Sequence, residues 1–93
     1  MNILIVEDEL KLAEEIKNYL TDFKYVCSCV PLFSKALESI NTQEFAIALV
    51  DINLPDGNGI EIIKYIKSKK LAAGIIVMSA VSELDIKDRK SVV

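Results

Sequence analysis

Histidine is missing altogether from these 93 residues. Imidazole acid–base chemistry and histidine ligation of a metal are therefore excluded. Cysteine occurs twice, as Cys27 and Cys29. Two cysteines are too few for a disulfide framework, and they lack the spacing and companions of a zinc site. On a strand both would point to one face, and they read as buried reduced thiols. Glycine occurs only three times, and no glycine-rich turn follows the first apolar run. That argues against a dinucleotide-binding fold. Basic charge is short too: 11 Lys and Arg stand against 14 Asp and Glu, for a net charge of −3. Direct nucleic-acid binding by this chain is not expected, because phosphate neutralisation needs a basic patch. Lys64, Lys67, Lys69 and Lys70 do cluster, and they read as a solvated helix end. No apolar run is long enough to cross a bilayer, and the early acids Glu7-Asp8-Glu9 do not fit a signal peptide. A cytoplasmic protein without a membrane partner is the expectation.

What remains is 52% apolar and 27% charged residues, which suits one globular domain over residues 1–93. Such an apolar share in a short chain implies a sheet covered on both faces, or apolar surface that awaits a partner. Residues 3–6 form a continuous aliphatic run, the mark of a strand buried on both sides. Over residues 10–23 the period changes, with Leu12, Ala13, Ile16, Leu20 and Phe23 on one helical stripe. Residues 25–30 read as a second strand, stopped by Pro31. Ser34 is placed to cap a short helix carrying Ala36, Leu37 and Ile40. Residues 45–50 form the most apolar strand, and residues 55–59 carry turn chemistry. Ile60, Ile62, Ile63 and Ile66 mark the inner stripe of a helix ending near Lys69. Residues 75–78 read as a fourth strand, and Ser82 as the start of another helix. Alternation of strand and helix predicts an α/β fold, a doubly wound parallel sheet.

Three chemical features then converge. Glu7 and Asp8 follow the first strand, Asp51 ends the third and Ser79 ends the fourth. In a parallel sheet these ends share one edge, where ligands bind at the topological switch point. Taken singly, each reads as an ordinary turn or cap residue; the combination carries the signal. Clustered carboxylates repel one another unless a cation joins them. An all-oxygen set selects a hard cation, and Mg2+ suits a few carboxylates plus water. A carboxylate beside such an ion is a competent nucleophile toward a phosphoryl group, and Ser79 offers it a hydroxyl donor. A metal-dependent phosphohydrolase needs a second aspartate two residues after the nucleophile, where this chain has Asn53.

The pattern resembles the receiver domain of two-component response regulators. Ile3-Leu4-Ile5-Val6-Glu7-Asp8-Glu9 is similar to that family's first strand and acidic pocket. Leu49-Val50-Asp51-Ile52-Asn53-Leu54-Pro55-Asp56-Gly57-Asn58-Gly59 resembles its phosphoacceptor strand and loop, and Val77-Met78-Ser79-Ala80 its switch-hydroxyl strand. The likeness runs over residues 1–85. It implies a flavodoxin-like fold with strand order 2-1-3-4-5. It implies phosphorylation of Asp51 by a histidine kinase, with Mg2+ held by Asp8, Asp51 and the backbone carbonyl of Asn53, and by Glu7 through a water. Ser79 would be the switch hydroxyl. Receivers of this kind most often precede a DNA-binding output domain.

The chain departs from the family after the fourth strand. Nothing matches the fifth strand, its terminal lysine, or the fifth helix, and Lys87 and Lys90 do not inherit that lysine's role. The expectation is an incomplete, C-terminally truncated receiver whose bared edge favours a homodimer or higher oligomer. The other reading is a non-switching remnant that acts by self-association or partner binding.

Overall fold

The computed structural model describes residues 1–78. Four strands build the main sheet: β1 (Asn2–Val6), β2 (Val26–Val30), β3 (Ile47–Asp51) and, after a two-stranded ribbon of β4 (Asn53–Leu54) and β5 (Gly57–Asn58), β6 (Gly74–Met78). Three helices connect them: α1 (Leu10–Thr21), α2 (Phe33–Thr42) and α3 (Gly59–Ser68). The sheet order is β2-β1-β3-β6, all parallel. This is the doubly wound, flavodoxin-like arrangement expected. The strand order reverses at β1, so the β1–β3 seam is the switch point.

The central strand explains its own composition. β1 pairs on both sides, Val6 with Val30 and with Val50. Its side chains are covered above and below, so Ile3, Leu4, Ile5 and Val6 are all buried and no polar alternation is needed. Leu4, Val6, Ala48 and Val50 pack under α2 and α3 through Ala36, Ile40, Ile62 and Ile66. Ile3 and Ile5 pack on the other face against Ala13 of α1, joined by half-buried Ile16 and Leu20.

Several boundaries differ from expectation for identifiable reasons. α1 stops at Thr21 because Lys24 turns left-handed, with φ 67°, and the Tyr25 N–H bonds back to the Leu20 carbonyl. That closure normally uses glycine. Phe23 therefore leaves the helical stripe and stands exposed, its ring tilted against Tyr19 with centroids 5.2 Å apart. Lys70, with φ 55°, closes α3 in the same way, with the Leu71 N–H bonded to the Ile66 carbonyl. The inner stripe of α3 is Gly59, Ile62 and Ile66, while Ile60 points outward. Cys27 and Cys29 are not buried. β2 is an edge strand, so Cys27 is half-covered and Cys29 exposed, both as free thiols. No helix among the described residues is long and apolar enough to cross a membrane.

Candidate functional site at the rim of the β1–β3 seam

Pairing of Val6 with Val50 sets Glu7 and Asp8, just past β1, beside Asp51, the last residue of β3. One carboxylate oxygen from each of the three lies within 4.8 Å of the others. Glu7 is 4% exposed and Asp51 1%, whereas Asp8 is open to solvent. Two of the carboxylates are held by the backbone that follows them. Glu7 Oε2 accepts the Glu9 N–H at 3.1 Å, and Asp51 Oδ1 accepts the Asn53 N–H at 3.1 Å. Burial pushes the Glu7 carboxyl up to about 7, against the pull of the Glu9 N–H, with Asp51 and Asp8 adding to the rise.

Among the described residues no lysine or arginine offsets this charge. The ion pairs found there, Lys35 with Glu38 and Lys64 with Glu61, lie on exposed helix surfaces. Among the described residues, three acids, two of them buried, thus meet without a protein cation. The set fits a hard divalent ion: its donors are all oxygen, and the elevated Glu7 pKa reports a site that bound positive charge would relieve.

The loop after Asp51 is shaped by close contacts. Gly59 donates its N–H to the Ile52 carbonyl at 2.8 Å. A Cβ on Gly59 would run into the Asp51 carbonyl and Val50 Cγ1, so only glycine fits. Leu54 is drawn into the core, and Asn58 caps α3 by accepting the Ile60 N–H at 2.8 Å. α2 is capped differently from expectation. Ser34 supplies no cap; the N-cap residue is Leu32, and the acceptor comes from Asp56 in this loop.

Glu7, Asp8 and Asp51 therefore come together, and the Asn53 N–H joins them at Asp51 Oδ1. Ser79, the start of a further helix at Ser82, and Lys87 and Lys90 lie outside the described residues. Asp56 escaped notice because a cap supplied from another loop leaves no local signature. A cavity of about 420 Å3 lined by Ile40, Phe45, Ala48 and Leu71 shares no residue with the carboxylate cluster.

The sequence model of the response regulator receiver domain matches residues 3–91, beyond the limit near residue 85 that the motifs alone supported. The chain is 34% identical over 88 residues to the transcriptional regulatory protein MalR of Bacillus subtilis, covering 92% of this chain and 37% of MalR. It is 33% identical over 85 residues to the response regulator RppA of Synechocystis, covering 89% of this chain and 36% of RppA. Among solved structures, the MaeR response regulator bound to beryllium trifluoride superposes with a TM-score of 0.81 at 26% identity, over 99% of this chain and 76% of that one. TrrA of Thermotoga maritima, in complex with Mg2+–BeF, does so at 0.81 and 30% identity, over 87% of this chain and 70% of TrrA. The chain thus spans little more than a third of the length of MalR and of RppA.

Proposed function

This chain belongs to the response regulator receiver family, and from that premise we propose that it accepts a phosphoryl group on Asp51 from a histidine kinase in a Mg2+-dependent reaction. The observation that carries the reading is the buried Asp51 carboxylate ringed by Glu7 and Asp8 at the switch point. Asp8, Asp51 and the Asn53 carbonyl would hold the ion, with Glu7 reaching it through water; TrrA's complex with Mg2+–BeF supports the choice of metal. When bound, the ion supplies positive charge that offsets the charge of the incoming phosphoryl group.

The protein's own part is nucleophilic. An Asp51 carboxylate oxygen bonds to phosphorus as the bond from phosphorus to the kinase imidazole nitrogen breaks, and the electron pair leaves with the imidazole. The product is an acyl phosphate. Burial of Asp51 keeps bulk water from the reacting oxygen. Ser79, next in sequence after β6, is assigned the switch hydroxyl on the motif alone. The module acts as a signalling part without a separate enzymatic activity, and it works in the cytoplasm. Incubation with Mg2+ and a small acyl phosphodonor should add one phosphate by intact mass. Asp51→Ala should abolish the addition, and persistence of the adduct in that variant would sink the assignment.

A second reading has one observation behind it. On β6, Ile76 and Val77 are 51% and 50% exposed, on a strand that pairs only with β3 among the described residues. A homodimer or higher oligomer would cover such an edge. Sedimentation at high concentration should show association, and a sharp monomer boundary would remove this reading.

A further inference from the structure

Asp56 lies outside the acidic pocket, in the turn between β4 and β5, and is exposed. Both its oxygens are nevertheless committed. Oδ1 accepts the Phe33 N–H at 2.6 Å and Oδ2 the Ser34 N–H at 3.1 Å. These are the first two amides of α2, 23 and 22 residues away in sequence. A carboxylate bridging two helix-terminal N–H groups gains charge-assisted bonds and the favour of the helix dipole. α2 has no local substitute, since its N-cap Leu32 makes no side-chain cap bond.

A packing contact joins the same two segments. A Cβ on Gly57 would fall 2.7 Å from Phe33 Cγ, so the turn lies directly against the Phe33 ring. The other end of the turn begins at Asn53, whose N–H holds Asp51 Oδ1. Only Leu54 and Pro55 separate Asn53 from Asp56; Leu54 is fixed in the core and Pro55 has a locked φ. The link from pocket to helix is short and stiff.

We propose that Asp56 is a positioning residue that couples the filling of the acidic pocket to the N-terminus of α2. The proposal rests on the Mg2+-binding reading given above. Coupling of this kind is reciprocal. Fixing Asn53 in the pocket firms the Asp56 cap, and loss of the cap loosens Asn53 and weakens the hold on the ion.

The test separates a tether from a simple cap. Combined with Asp56→Ala, Leu32→Asp supplies α2 with its own N-cap but leaves the β4–β5 turn without its hydrogen bonds to α2. The full chain, Asp56→Asn, Asp56→Ala and the double variant Asp56→Ala/Leu32→Asp are titrated with Mg2+ by calorimetry. Melting temperatures and the Phe33 and Ser34 amide resonances are followed alongside. The double variant should melt like the parent yet bind Mg2+ about tenfold more weakly, the low end for residues that orient metal ligands from outside. Asp56→Asn retains a single oxygen acceptor and should fall between parent and Asp56→Ala. Mg2+ should move the Phe33 and Ser34 amides in the parent and leave them still in the double variant. Parental Mg2+ affinity in the double variant, or unmoved amides in the parent, overturns the coupling while the receiver reading stands. A parent chain that binds no Mg2+ overturns both the coupling and the Mg2+-dependent reading it rests on.

Discussion

The two faces of the sheet are built to different standards. On one face Leu4, Val6, Ala48 and Val50 lie under two helices, none more than 1% exposed. On the other, α1 is the one covering helix among the described residues: it buries Ile3 and Ile5, but Ile47 and Leu49 stay half-covered, and of α1 itself only Ala13 is buried. The acidic pocket straddles the two. Asp51 leads into a loop pinned to the dense face by Leu54 and Gly59, whereas Glu7 and Asp8 lead into α1 on the sparse one. Asp51, the proposed phosphoacceptor, is thus held by the densely packed side of the molecule, and the remaining acids by the sparsely packed side.

The largest effects should fall on the dense face. Ile62→Ala should cost about 3–5 kcal/mol, and Leu49→Ala on the sparse face about 1–2 kcal/mol. Urea denaturation of both would sharpen the contrast, and equal losses would break it. Gly59→Ala should cost about 2–3 kcal/mol as an overpacking change. Because it displaces the Asp51 carbonyl, it should also lower phosphoryl uptake by intact mass, an effect Leu49→Ala should not share.

The pocket between the faces should respond to pH. Folded Glu7 keeps its proton up to about 7, against an ordinary value of 4.5. Without metal, the folded state binds the extra proton across that window, so stability should fall as pH rises through it. Mg2+ favours the ionised carboxylate and should flatten the decline. Melting curves at pH 5 and pH 8, in chelator and in Mg2+, check this; the same decline in both would count against the site.

The smallest effect concerns helix ends. Lys24→Gly and Lys70→Gly relieve left-handed backbone at the ends of α1 and α3, and each should gain about 0.5–1 kcal/mol by thermal melting. The gain should be similar in both, because it depends on backbone conformation and not on which face the helix covers.

Much of this was legible in the residues themselves. Continuous aliphatic runs marked β1 and β3, the central strands, since a strand covered on both sides tolerates few polar positions, and shorter apolar runs marked β2 and β6. The clustering of Glu7, Asp8 and Asp51 could be read because each sits at a strand end or just beyond it, where parallel pairing makes neighbours of distant residues, whereas Asn53 entered only through the family resemblance. What was hidden depended on place within the assembled sheet. Nothing local says that the strand bearing Cys27 and Cys29 lies at an edge, or that Ile60 faces out once Gly59 begins the helix. Nor could composition reveal that α1 closes on Lys24, since lysine rarely adopts that conformation. The Asp56 cap joins segments more than twenty residues apart, and no periodicity records it.

The Asn53 N–H at Asp51 Oδ1 has a stereochemical consequence. A free carboxylate rotates and offers two equivalent oxygens. Here the rotor is locked and the equivalence is lost. Oδ1 accepts the Asn53 N–H and Oδ2 does not, so under the proposed function Oδ2 would be the oxygen that bonds to phosphorus. A symmetric anion has been given two unlike oxygens before any partner arrives.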